Sequence, residues 1–80
     1  MGCHFSYFAK FSGFGTNEYS AINELRINIE KMCTMNEYYE TTDKGIKMYN
    51  IKYMHNNSNY NKKITLAYNE KHKIWGAFVY

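Results

Sequence analysis

Residues 73–80 read Lys-Ile-Trp-Gly-Ala-Phe-Val-Tyr, and the way this stretch alternates decides the fold. Ile74, Phe78 and Tyr80 alternate with Trp75, Ala77 and Val79, so a strand built from them is apolar on both faces. Residues 46–55 repeat the pattern, with Tyr49, Ile51 and Tyr53 on one side and Ile46, Met48 and Met54 on the other. A sheet that contains these strands has two faces to cover.

Toward the amino end, one segment has helical period. Ile22, Leu25, Ile29 and Met32 recur at spacings that line one side of a helix, while Asn23, Glu24, Arg26, Glu30 and Lys31 fill the other. Thr16 or Asn17 can cap it, with Glu18 in the first turn where the helix dipole favours an anion. The spacing predicts a helix over 17–34, ended by Asn36 and Glu37. Phe5, Tyr7, Ala9 and Phe11 alternate with more polar residues and predict a first strand over 4–12, broken by Gly13-Phe14-Gly15. Further strands are expected over 38–42, 46–55, 62–69 and 73–80. Turn formers separate them at Asp43-Lys44-Gly45, Asn56-Asn57-Ser58-Asn59 and Asn69-Glu70-Lys71-His72. The expected fold is α+β: a single small domain with one α-helix packed on a mainly antiparallel β-sheet, in the order β-α-β-β-β with room for one extra short strand. One helix covers one face of such a sheet. The other is expected to bury itself against a second molecule, so a homodimer is expected.

Eighty residues make one domain and exclude a two-domain enzyme. A hydrophobic content of 45% excludes a disordered tail, and no apolar run reaches the ~20 residues of a membrane span. Two cysteines, Cys3 and Cys33, do not make a disulfide scaffold, so a reducing, cytoplasmic setting is the default. The antiparallel run of strand one and helix places the two thiols at the same end of the domain. Met1-Gly2-Cys3-His4-Phe5-Ser6 fits the form of an acylation signal, but a strand follows at once without a spacer. No membrane partner is expected.

Charge is uneven along the chain. Residues 1–42 carry three cations against five anions, and residues 43–80 carry seven against two, so an acidic helix faces a basic sheet. Lysines interleaved with tyrosines and a tryptophan suit two kinds of partner. Tyr49, Tyr53, Tyr68 and Trp75 are candidate anchors for a protein partner, with Lys62, Lys63 and Lys71 for electrostatic steering. The same residue types suit single-stranded DNA or RNA, because aromatic faces stack bases while ammonium groups neutralise phosphates.

Signals for chemistry are weak. Gly13, Gly15 and Thr16, between a strand and a helix, offer a possible anion-binding turn, although the third glycine and the Lys-Ser/Thr of a phosphate loop are missing. His4, His55 and His72 have no metal-ligand spacing; His55 and His72 are the one pair to test as a metal-independent nuclease site. No catalytic residue, metal or cofactor is expected.

The scarcity of Pro, Ala and Arg beside abundant Lys, Asn, Ile and Tyr reflects an A/T-rich coding sequence. In size and composition the chain resembles small accessory proteins of phages and other mobile elements. That resemblance implies a non-enzymatic binding module that inhibits a host macromolecule by steric occupation.

Overall fold

The computed structural model describes residues 9–80. Six strands and one helix follow in order: β1 (Phe11–Gly15), α1 (Glu18–Glu30), β2 (Thr34–Asp43), β3 (Ile46–His55), β4 (Ser58–Lys63), β5 (Thr65–Asn69) and β6 (Ile74–Val79). The α+β class and the antiparallel pairing are as expected. The start of the expected first strand, the Met1-Gly2-Cys3 motif, His4 and the Cys3 side of the thiol pairing lie outside the described residues.

Asn17 caps α1, its side-chain oxygen accepting the Ser20 N–H at 2.8 Å. Ala21, Ile22, Leu25 and Ile29 form the buried stripe. The helix ends four residues earlier than its periodicity predicts. The chain turns at Lys31 and Met32, and the Cys33 N–H closes on the Ile29 carbonyl at 2.8 Å. That turn swings Met32 out to 65% exposure and puts Cys33 in the core instead. Asn36 and Glu37, expected to stop the helix, lie in β2, where Asn36 Nδ2 donates to the Arg26 carbonyl at 3.0 Å and ties strand to helix.

The glycines of β1 do not break the strand. A Cβ on Gly13 would lie 2.2 Å from Leu25 N and 2.5 Å from the Ala21 carbonyl, and one on Gly15 would lie 2.7 Å from Ala21 N. The helix therefore rides directly on the strand backbone, a contact that only glycine permits.

Two hairpins use two-residue loops in which both residues have positive φ: Lys44 (53°) with Gly45 (79°), and Asn56 (52°) with Asn57 (64°). Such loops match the right-handed twist of the strands they join. The compact Asn56-Asn57 turn lets β4 begin at Ser58, inside the longer break expected from sequence. The expected strand over 62–69 splits at Ile64, whose N–H donates to the Tyr49 carbonyl at 2.8 Å before β5 leaves for other partners.

That split replaces the expected single sheet by two of three strands each, ordered β1-β6-β5 and β2-β3-β4. They share one core, in which Phe11, Ala77 and Val79 of the first sheet meet Ile51 and Tyr53 of the second around the helix stripe. The helix and the second sheet together cover the inner face of the first sheet at Phe11, Ala77 and Val79. No helix among the described residues is long and apolar enough to cross a membrane.

Candidate functional site

The alternation of β6 sorts its side chains. Ala77 and Val79 are fully buried on the helix side, and Ile74, Gly76 and Phe78 point away from it. On that outer face Phe14 pairs with Gly76 in register. A Cβ on Gly76 would lie 2.6 Å from the Phe78 ring and 3.2 Å from that of Phe14. The missing side chain lets Phe78 lie across the strand, and Phe14 meets it edge-on at 5.7 Å. Tyr80 flanks Phe78 at 6.4 Å. Phe78 is thereby buried, whereas Phe14 and Tyr80 remain 42% and 36% exposed. None of the three strands of this sheet contains a charged residue.

The free edge of β1 is occupied by the helix. Phe14 N–H donates to Glu24 Oε1 at 2.8 Å, and Asn28 Nδ2 donates to the Ser12 carbonyl at 2.8 Å. These contacts leave the outer face, rather than the β1 edge, as the open apolar surface.

The four expected anchors and three expected steering lysines do not form one surface. Tyr53 is 2% exposed, its ring between Phe11 at 5.5 Å and Tyr60 at 5.2 Å, so it belongs to the core. Tyr49 is half-buried between Tyr19 and Tyr38. Tyr68 and Trp75 meet at 5.1 Å on the helix-side face of the first sheet, with Tyr68 44% exposed, and Lys71 stands in the loop that joins their strands. Lys62 and Lys63 are neighbours on β4 and therefore point to opposite faces. Sequence reading missed Phe14 because it sat in an expected turn. Tyr60, which the sequence offers among the aromatics interleaved with lysines, shares a face of β4 with Lys62.

The Tyr19–Tyr38–Tyr49 cluster has the strongest electrostatics. Tyr38 donates its hydroxyl to Glu40 Oε2 at 2.7 Å, Lys47 pairs with Glu40 at 3.5 Å, and the Arg26 guanidinium lies 5.5 Å from the Tyr38 ring. Burial, then the bond to Glu40, pushes the Tyr38 phenol well up. Glu40 is held below the usual carboxylate range by the Tyr38 hydroxyl and by Lys47. Contact with the Tyr19 hydroxyl, then Glu40, raises Lys47. Glu40 and Lys47 pair with each other, whereas among the described residues the Arg26 guanidinium meets only the Tyr38 ring and leaves its Nε buried without a hydrogen-bond partner. Burial likewise raises the Cys33 thiol.

At the Gly13-Gly15 turn, the space over both glycines is filled by α1, and the Ser20 N–H is taken by Asn17. Thr16 is exposed beside it. The geometry assigns these glycines to helix packing. His55 ends β3, half-buried at 6.4 Å from Phe11, and His72 sits in the β5–β6 loop with its N–H on Asn69 Oδ1, so the two belong to different sheets. Among the described residues no three His, Cys, Asp or Glu side chains gather as metal ligands. Compared with protein-family models, curated proteins and solved structures, the chain matches none of them.

Proposed function

We propose that this chain is a non-enzymatic binding module that occupies a protein partner with the outer face of its first sheet. The observation that carries the proposal is the Phe14–Phe78–Tyr80 cluster: two exposed aromatic rings braced by a buried third, on a sheet without a charge. Full burial of a phenylalanine side chain is worth roughly 1.5–3 kcal/mol, the scale of an interface hot spot. An uncharged patch can be covered without desolvating an ion. The resemblance in size and composition to small phage or mobile-element accessory proteins supports a host macromolecule as the partner and steric inhibition as the action. A second copy of the chain is a possible occupant of the same face and would make the homodimer expected from sequence.

The test is site-specific photocrosslinking in the native cell, with a benzophenone amino acid at position 14 or position 39. Crosslinks to one protein from position 14, absent from position 39, support the proposal. Phe14→Ser should abolish that partner's co-purification at a cost of about 1 kcal/mol in stability, from the lost contact with Phe78. Equal crosslinking at both positions, or full retention of the partner by Phe14→Ser, overturns it. Light scattering separates the self-association version, which requires twice the chain mass and its loss in the same variant.

A further inference from the structure

Around β4 the chain gathers four lysines that form no ion pair among the described residues. Lys62 Nζ lies 5.8 Å from the centroid of the Tyr60 ring, and Lys10 Nζ, arriving from just ahead of β1, lies 5.2 Å from the same ring. On the other face of the second sheet, Lys52 Nζ lies 5.3 Å from the Tyr39 ring, whose hydroxyl donates to Asn61 Oδ1 at 2.6 Å. Lys63 completes the group and is exposed. The ion pair found among the described residues joins Lys47 to Glu40; Glu37, opposite Lys52 in register, is not within ion-pair distance of it. An ammonium resting on an aromatic ring keeps its full charge while its flexible stem is already ordered. An incoming anion therefore meets lysines whose ordering cost has been largely met in the free protein.

A concave surface accompanies the charge. A cavity of ≈ 650 Å³ opens along β4, with Asn36, Glu37, Lys52, Tyr53, Asn59, Tyr60 and Asn61 in its wall, so one carboxylate stands among the groups an incoming strand would meet. Two of these residues hold buried polar atoms without a hydrogen-bond partner, Asn36 Oδ1 and the Tyr53 hydroxyl. The size falls in the range that holds small organic ligands. Amide side chains at the wall can both donate and accept, as the edge of a nucleobase requires.

We propose that β4, an edge strand of the second sheet, binds single-stranded nucleic acid that wraps over that edge, with Lys10 and Lys62 on one face and Lys52 and Lys63 on the other meeting its phosphates and the cavity admitting one unstacked base. A duplex keeps its bases stacked and leaves the cavity unused. An acidic peptide satisfies the lysines alone. The surface is separate from the apolar face of the first sheet.

Fluorescence anisotropy with labelled oligothymidylate and oligouridylate tests this, against a duplex and a polyglutamate peptide of matching length. Either single strand should bind more tightly than duplex or peptide, with affinity falling steeply as salt rises. Lys10→Gln with Lys62→Gln should weaken binding at least about tenfold and reduce the log–log salt slope by about 1.4, since each single-strand phosphate contact contributes roughly 0.7. Lys52→Gln with Lys63→Gln should act in the same direction through a separate pair, so misfolding of one variant leaves the other to decide. Lys44→Gln with Lys71→Gln removes the same charge from exposed turns and should cost less than about threefold. Equal affinity for polyglutamate, tighter binding of the duplex, an equal loss in the turn variant, or no binding of either single strand at low salt overturns the proposal.

Discussion

The two sheets of this small domain are built on opposite terms. The strands of β1-β6-β5 carry no charged side chain, whereas those of β2-β3-β4 carry Glu37, Glu40, Asp43, Lys47, Lys52, Lys62 and Lys63. In the first sheet the fit is one of shape: two glycines accept the helix on one face, and a third lets Phe78 lie flat on the other. In the second, the inner face is apolar at Ile51 and Tyr53, while the rest is held by hydrogen bonds, stacked tyrosines and an ion pair. Edge protection follows the same division. β2 guards its free edge with its own acidic residues, and β1, which has none, borrows Glu24 and Asn28 from the helix. An uncharged sheet thus stands beside a charged one in a chain of net charge +3, and net charge opposes the association that an open apolar patch favours.

Substitutions can break this contrast, the largest effect lying in the shape-fitted sheet. Gly13→Ala places a methyl carbon against the backbone of Leu25 and Ala21, which no side-chain rotation relieves. It is expected to cost about 3 kcal/mol in urea denaturation, at the upper end of overpacking effects. A loss under ~1 kcal/mol shows that the helix slides freely on β1 and that the fit is loose.

Asn50 tests the hydrogen-bonded sheet. It is buried, and its Nδ2 donates to Thr41 Oγ1 at 3.1 Å and lies 3.4 Å from the Tyr39 and Met48 carbonyls. Asn50→Ala should cost about 1.5 kcal/mol. An unchanged midpoint shows that packing, not polarity, holds both sheets.

The smallest effect is electrostatic. The Glu40 pKa is lower in the folded chain than in the unfolded one. Its contribution to stability is therefore complete above the unfolded carboxylate value and is lost as pH falls through the folded one. Tyr38→Phe removes the main cause of the shift, so carboxyl NMR should show the Glu40 midpoint moving up and the acid limb of the stability curve flattening. If the midpoint stays in place, Lys47 alone sets it.

Much of this arrangement was legible along the chain. The α1 stripe of Ile22, Leu25 and Ile29, the turn formers at Asp43-Lys44-Gly45 and Asn56-Asn57, and the alternation of β6 are local signals, and the elements formed where those signals stood. The misses share a non-local cause. Gly13-Phe14-Gly15 looked like a turn because what needs those glycines is a helix backbone contributed by residues 21–25. Residues 62–69 looked like one strand because the break at Ile64 depends on a carbonyl fifteen residues earlier. Of the candidate site, the apolar outer side of β6 was readable, but Phe14 was not. Tyr53 and Trp75, equally aromatic on paper, separated only when Phe11 and Tyr60 closed over one of them.

By itself the sequence determined which residues share a face, where the chain reverses and which half carries the lysines. Side-chain period, turn chemistry and charge are properties of neighbours along the chain. Only the tertiary structure decided which face would be covered. Cover comes from residues distant in sequence: the helix and the first sheet, which the chain rejoins after the Ile64 bend, closed over Ile51 and Tyr53 and left Phe14 with Tyr80 in the open.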